Sequence, residues 1–409
     1  MHDAEIIAVG SEMLTPSKID TNSLYLTGEL NALGVEVRRK VVVCDDRTLL
    51  TATIAASLAS MDIVILTGGL GPTEDDLTRD AVAAALGRGM TFHQDIADSI
   101  EQRFKRRGRV MPEINKRQAF VIDGAEVLPN PNGSAPGQFL NEAGKAILLL
   151  PGPPNEMKPM FDGECLPRLR KMLPPSVLRT RFFRVTGLTE SDLDQRIAPL
   201  YIKYTNPTTT ILASPGDLQI HLRARCETEQ EAEALLREVE APIIQTLGQH
   251  IVSLTGEPIE SVIGSMLLER SATLAVAESC TGGMVGEKLT SVAGSSAYFR
   301  GGFITYTDDL KRTLLGVPEA MLREYTAASA EVALAMAQGA RAKTASTYAV
   351  SITGEAGPES STGIPVGTVF FGFAGPNGSN AIRLTFPGDR TRVRAFAAMA
   401  ALDFLRRSL

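Results

Sequence analysis

Residues 273–277 (Thr-Leu-Ala-Val-Ala) form a short, almost wholly apolar run. It ends in Glu278-Ser-Cys-Thr-Gly-Gly283, a cluster of hydroxyls, a thiol and paired glycines. Such a run reads as a buried strand that delivers side chains at its carboxyl end and then turns into a helix. Strands buried on both faces belong to parallel sheets covered by helices, and those sheets bind ligands beyond the carboxyl ends of their strands. Gly282 and Gly283 permit a tight turn and close approach of a ligand, and Thr281 leads into a helix start with free N–H groups. A hydroxyl held there can be a nucleophile with its oxyanion donors alongside. The plain alternative is an ordinary strand-to-helix turn capped by Ser or Thr.

The 409 residues exceed what one compact core accommodates, so two or three domains are expected. No apolar stretch approaches the ~18 residues of a membrane span, and the N-terminus runs directly into a strand without a leader pattern. A net charge of −6 disfavours wholesale nucleic-acid binding. Cys44, Cys165, Cys226 and Cys280 have no paired spacing, which argues against a disulfide framework or zinc knuckle and for a cytoplasmic setting. His2, His93, His221 and His250 are equally dispersed, so a histidine-based triad is hard to build.

The first 170 residues alternate strands and helices, which implies a parallel sheet with helices on both sides. EIIAVG is a strand; Asp20 or Thr21 caps a helix that Gly34 ends; VEVRRKVVV is the next strand, and Asp46 caps another helix. The apolar strand DIVIL is followed by helix LTRDAVAAALG, then by AFVID and AILLL. A linker near 173–175 precedes a small β-α-β-β-α module at 176–250, with a turn at Ser214-Pro-Gly-Asp217. The third unit, 255–409, returns to alternation: helix IESVIGSMLLER, the strand ending in Glu278, helix 283–291, strand GGFITY, helices DDLKRTLLG and SAEVALAMAQGARAKT, and strand TYAVSITG. Two neighbouring strands joined by a turn at Pro376 and a helix at 391–407 complete it.

Thr67-Gly-Gly-Leu-Gly-Pro-Thr73 leaves DIVIL and enters a helix through Glu74-Asp-Asp76. Thr67, Gly68, Gly69, Gly71 and Thr73 make a nest of donors suited to phosphate, and Asp75 and Asp76 suit a divalent cation. A pyrophosphate ligand needs such a cation to offset repulsion between its acidic groups. The alternative is a turn with an acidic helix start. Gly10-Ser-Glu-Met, the loop Asn130–Gly137 containing Ser134, and Pro151-Gly-Pro-Pro-Asn155 have the same character and should converge at strand ends.

Together GSEML…DTNS, TGGLGPTEDDLTRD, NKRQA, GSAPG and LPGPPNEM resemble the molybdopterin-binding fold, in the version found at the N-terminus of the competence/damage-inducible CinA family. The glycine motif of pterin-binding relatives reads GGTG, whereas here it is Gly68-Gly69-Leu70-Gly71. The resemblance implies an ADP-ribose pyrophosphatase that uses a divalent metal (Mg, Mn or Co), with K as a further cation. It places Asp76 and Asp45 on the family's acidic metal positions.

The third unit adds Gly294-Ser-Ser296, Tyr306, Lys311, Ser351-Ile-Thr353 and Phe386-Pro-Gly-Asp-Arg390. Each has a plain reading as a turn, surface or helix-start residue. A serine hydrolase lacking a usable histidine needs another base, and a buried lysine beside a tyrosine is a known substitute. Because there is no local Ser-x-x-Lys, Ser279 and Lys311 must meet through the fold. These segments also resemble the CinA C-terminal domain, which implies deamidation of nicotinamide mononucleotide to acid plus ammonia without a metal. By that resemblance Ser279, Ser296, Tyr306, Lys311, Thr353 and Arg390 fall on active-site positions. Ser279 is then the nucleophile, with Ser296 its competitor, Lys311 the base, and Tyr306 an orienting or relay group. N–H groups of Thr281, Gly282 and Gly283 would hold the oxyanion, and Arg390 with Thr353 the ribose phosphate.

The fold expected is thus α/β: a doubly wound N-terminal domain (1–170), a small α+β KH-like middle module (176–250) and an α/β C-terminal domain (255–409). The middle module lacks a Gly-x-x-Gly clamp and ends in an acidic helix, which argues against RNA binding. Expected partners are small nucleotides, not nucleic acid or membrane, with a homodimer as the default assembly. Two alternatives stand beside this reading: a non-catalytic partner in DNA uptake or repair, and a molybdopterin-binding protein.

Overall fold

The computed structural model describes residues 2–409. It divides into two compact units, one formed by the chain up to Arg179 with Ala224–Glu233, the other by Thr180–Arg223 with Ala234–Leu409.

The first unit contains β1 (Asp3–Val9), α1 (Thr21–Ala32), β2 (Glu36–Val43), α2 (Arg47–Ser60), β3 (Ile63–Thr67) and α3 (Thr78–Leu86). These are followed by β4 (Met90–Phe92), α4 (Gln94–Arg106), β5 (Phe120–Ile122), β6 (Glu126–Leu128), β7 (Gly137–Glu142), β8 (Lys145–Leu150), α5 (Pro154–Met160) and α6 (Leu166–Met172). Asp20 accepts the Ser23 N–H at 2.9 Å and Asp46 that of Leu49 at 2.7 Å, so both expected helix starts carry a side-chain cap. The main sheet has the order β2-β1-β3-β8-β7-β6. Every residue of β3 is buried, because helices cover both faces.

The sheet is not wholly parallel, which corrects the expectation for these residues. Strands β2, β1, β3 and β8 run parallel, whereas β7 pairs antiparallel with both β8 and β6. The cause is local: only Ala143 and Gly144 separate β7 from β8, and both have positive φ (49° and 85°). A two-residue loop of that geometry makes a hairpin and cannot cross over to a parallel partner.

The middle module comprises β9 (Val177–Val185), α7 (Glu190–Tyr201), β10 (Thr208–Ser214), β11 (Asp217–Cys226) and α8 (Glu229–Leu247). A short β12 (Ile251–Ser253), not anticipated from the sequence, completes a sheet of order β10-β11-β9-β12. β11 alternates buried and half-buried residues along most of its length, as a sheet with one covered face requires.

The remaining elements are α9 (Ile259–Glu269), β13 (Leu274–Glu278), α10 (Met284–Thr290), β14 (Phe299–Ile304), α11 (Asp308–Leu315), α12 (Glu319–Tyr325), α13 (Ala330–Thr344), β15 (Tyr348–Gly354), β16 (Thr368–Gly375), β17 (Gly378–Thr385) and α14 (Arg390–Ser408). Their sheet has the order β14-β13-β15-β16-β17, parallel across β14, β13 and β15 and antiparallel beyond. Successive residues of β13 serve opposite faces. Leu274 and Val276 join the core under α9, α10 and α14, while Ala275 and Ala277 join the one under α11, α12 and α13. The leucine and valine each contribute roughly 1.5–3 kcal/mol by burial, and the alanines let α13 sit close.

Strand order reverses at β1 in one sheet and at β13 in the other. Loops leaving either side of such a point diverge and open a crevice at the carboxyl ends of the strands.

Candidate active sites

The crevice beyond β1 is a cavity of about 610 Å³. Its lining comes from the loops after β1 (Gly10, Glu12), β2 (Asp45), β3 (Thr67, Gly68, Gly69 and Gly71) and β8 (Gly152). Ser134 joins from the GSAPG loop, which Asn130 shapes by accepting the Gly133 N–H at 2.7 Å and donating to the Ala135 carbonyl at 2.8 Å. The same Asn130 amide donates to Glu156 at 2.8 Å and so ties that loop to α5. Gly68 has φ +105°, and a Cβ there would stand 2.2 Å from the Val9 carbonyl oxygen. Only glycine lets β3 turn this close to β1.

Two residues expected to bind ligand, Thr67 and Thr73, are instead engaged with the protein. The Thr67 hydroxyl donates to the Pro151 carbonyl at 3.1 Å and accepts from Asn22 at 2.9 Å, so it braces the loop rather than offering a free donor. Thr73 lies outside the cavity lining, and its N–H and hydroxyl both donate to Asp76, at 2.8 and 2.5 Å. Asp76 also accepts the Gly71 N–H at 2.7 Å, which folds the glycine loop around its own carboxylate. From α3 the buried Arg79 donates to the carbonyls of Leu70 and Gly71 at 2.7 and 3.0 Å, a brace the sequence pattern did not reveal.

Asp45 accepts the Ser11 N–H at 2.8 Å and lines the same cavity as Asp76. Among the described residues no group of three or more His, Cys, Asp or Glu side chains could hold a metal. The donor set therefore does not fit an all-protein cage. It does fit a hard cation such as Mg²⁺, which takes one or two carboxylates and completes its shell with water and phosphate oxygens.

The carboxyl end of β13 has different chemistry. Ser279 follows β13 directly; Lys311 lies on the first turns of α11, which Thr307 caps. The fold brings Lys311 Nζ to 3.3 Å from Ser279 Oγ. Lys311 is 1% exposed, and this burial lowers its pKa from the ordinary lysine value because the charged form loses hydration. Asp308, whose carboxylate is 3.8 Å from Nζ, acts in the opposite direction.

Tyr306 is half-exposed, and its hydroxyl accepts from Arg390 Nη2 at 2.6 Å. Arg390 also donates to the Gly357 carbonyl at 2.6 Å, so one guanidinium joins the loops after β14 and β15. Asp389 caps α14 through the Arg392 N–H instead of pairing with Arg390. Ser296 is exposed, on a 3-10 turn after α10, and the hydroxyl that meets the Lys311 amine is that of Ser279. Thr353 is 1% exposed and donates its only hydroxyl proton to the Ala327 carbonyl at 2.7 Å, so it braces the fold and does not present a donor to a phosphate. The oxyanion expectation narrows in the same way. The N–H of Gly282 goes to the Ser279 carbonyl at 3.1 Å and that of Gly283 to Glu278 at 2.9 Å, which leaves the Thr281 N–H.

Two further residues escaped the sequence reading. Glu278, fully buried, accepts N–H groups from Gly283, Val285 and Gly286 at 2.9, 3.2 and 2.8 Å. Arg394 donates to the carbonyls of Cys280 and Thr281 at 3.0 and 2.9 Å. Their signals were a carboxylate closing an apolar strand and an arginine one helical turn after Arg390.

Three family models match successive stretches of the chain. Residues 5–171 match the model described as a probable molybdopterin binding domain, 180–253 the damage-inducible protein CinA KH domain, and 256–409 the CinA C-terminal domain. Over 408 residues the chain is 57% identical to a CinA-like protein of Solibacter usitatus, covering 100% of this chain and 98% of that one. The chain belongs to the CinA family. A putative competence-damage inducible protein of Caldicellulosiruptor bescii is 40% identical over 99% of both chains. Among solved structures, a CinA superfamily protein of Escherichia coli is 34% identical, covering 37% of this chain and 88% of that one with a TM-score of 0.36. No helix among the described residues of this CinA family member is long and apolar enough to cross a membrane.

Proposed function

We propose that the chain is a bifunctional hydrolase of pyridine nucleotides, deamidating nicotinamide mononucleotide in its C-terminal domain and cleaving ADP-ribose to AMP and ribose 5-phosphate in its N-terminal domain. The observation that supports it most is the buried Lys311 amine 3.3 Å from the Ser279 hydroxyl.

In the deamidation, Ser279 Oγ attacks the carboxamide carbon as neutral Lys311 accepts the hydroxyl proton. The carbonyl electron pair moves onto oxygen, where the Thr281 N–H would stabilise it. Collapse breaks the C–N bond, and the Lys311 ammonium returns the proton to the departing ammonia. Water, deprotonated by Lys311, then cleaves the resulting ester to give nicotinate mononucleotide. Arg390, with Tyr306 fixing one edge of its guanidinium, is the group suited to the substrate's phosphate.

In the N-terminal domain, Asp76 and Asp45 would hold a divalent cation together with the pyrophosphate, and Gly68 to Gly71 would line the phosphates. Such a cation supplies charge neutralisation and a more acidic bound water. Potassium as a second cation, the cytoplasmic setting and a homodimer belong to the same proposal.

A molybdopterin-binding reading of residues 5–171 is favoured by the description of the matching family model. Competition between ADP-ribose and a pterin for the full chain separates the two. The relatives' competence-damage names suggest a third role at DNA, which a binding assay with its salt dependence tests. Ammonia release from nicotinamide mononucleotide, with no DNA present, tests the leading reading. Failure of wild-type protein to release ammonia overturns it.

A further inference from the structure

The segment Ser279–Gly283 is held from two directions. On one side lies the Glu278 carboxylate, fully buried and facing the three N–H groups of Gly283, Val285 and Gly286. On the other, Arg394 reaches from α14 to the carbonyls of Cys280 and Thr281. The Ser279 N–H is held by the Ile352 carbonyl on β15 at 2.9 Å, and the Gly282 N–H by the Ser279 carbonyl. Of the five N–H groups in this segment, those of Cys280 and Thr281 are left without a hydrogen-bond acceptor among the described residues.

We infer that Glu278 and Arg394 are positioning residues that set Ser279 Oγ against Lys311 and leave the Thr281 N–H aimed at the developing oxyanion. The chemistry fits each role. A carboxylate is the strongest acceptor for several convergent N–H groups, and a guanidinium the donor best shaped to span two successive carbonyls. Neither touches substrate, so both act on rate through geometry. This rests on the C-terminal reading proposed above. Gly282 shapes the same turn: its φ is +61°, a conformation that L side chains rarely adopt, and a Cβ there would reach ordinary contact with Arg394 Nη2 at 3.5 Å.

The test uses full-length protein with Glu278→Gln, Arg394→Ala and Arg394→Lys. Two readouts are followed: ammonia release from nicotinamide mononucleotide, and labelling of Ser279 by a fluorophosphonate probe, located by mass spectrometry. In the labelling, Ser279 Oγ forms a bond to phosphorus, fluoride leaves, and the hydroxyl proton goes to Lys311. Arg394→Ala and Glu278→Gln should each lower kcat and the labelling rate by roughly ten- to a hundredfold, with KM within about threefold of wild type. Added guanidinium ion should restore part of the loss in Arg394→Ala and none in Glu278→Gln, a pattern that general destabilisation does not produce. If both variants label Ser279 and turn over at wild-type rates, the inference is overturned. Wild-type protein that is not labelled at Ser279 overturns it too. If wild type is labelled at Ser279 but releases no ammonia, the deamidase reading fails while the labelling rates still decide the positioning roles.

Discussion

Lys311 Nζ and Ser279 Oγ, 32 residues apart in the chain, lie 3.3 Å from each other at the carboxyl end of β13, with the lysine side chain almost wholly buried. An amine in that position is a base only when neutral, and its burial favours that form. Replacement by an isosteric side chain without the amine, Lys311→Met, should lower ammonia release by about 10²–10⁴-fold, the range for a lost general base. Thermal unfolding should stay at or above the wild-type midpoint, because a buried polar group is replaced by an apolar one of similar size. A variant that unfolds well below wild type would instead mark Lys311 as structural.

The direction of the Lys311 shift fixes a pH dependence. Activity should rise with pH as the amine loses its proton and level off below the ordinary lysine range. Asp308 opposes the lowering, so Asp308→Asn should move the rising limb to lower pH, and less so at high salt because Asp308 is exposed. Stability follows with its own sign. Between the lowered folded value and the ordinary one, the unfolded chain binds more protons, so folding free energy improves as pH rises through that window. Denaturant midpoints measured across alkaline pH should show this rise in wild type and lose it in Lys311→Met.

The parts of this arrangement visible in the sequence were those written in local pattern. Apolar runs such as Ile63–Thr67 and Leu274–Glu278 announced central strands, and Asp20 and Asp46 announced helix starts. Glycine turns marked the loops that line the N-terminal crevice and the one that follows β13. The hairpin between β7 and β8 escaped because its turn, Ala143-Gly144, puts a non-glycine residue at positive φ and lacks the usual Asn-Gly signal. The braces escaped for a different reason. Arg79, Arg394 and Glu278 act on backbone groups, and no residue pattern records which carbonyl or N–H a long side chain will reach. Thr67 and Thr353 show the converse, since hydroxyls at ligand-like positions are turned to the backbone by their own strands.

Asp76 has two tasks that substitutions can separate. It folds the Gly71–Thr73 loop through its two oxygens, and under the proposal it helps hold the divalent cation. Asp76→Ala should abolish metal-dependent ADP-ribose cleavage and leave ammonia release unchanged, since each site draws its residues from a separate unit. Isothermal titration with Mg²⁺ and ADP-ribose should show the metal requirement disappear. Parallel loss of both activities would contradict two independent sites.

Gly68 tests the N-terminal crevice by shape alone. Gly68→Ala places a Cβ 2.2 Å from the Val9 carbonyl oxygen at a φ that L-residues avoid. The cost should be at least about 1–3 kcal/mol, read as a lower denaturant midpoint, together with loss of ADP-ribose binding. Unchanged stability would mean that β3 turns differently from the arrangement described.

The most direct test of the serine–lysine account is ammonia release from nicotinamide mononucleotide by full-length wild type, Ser279→Ala and Ser296→Ala. The account predicts release by wild type, retention of most of that rate in Ser296→Ala, and loss of at least about three orders of magnitude in Ser279→Ala. Near-wild-type release from Ser279→Ala, with the rate abolished in Ser296→Ala, would contradict it.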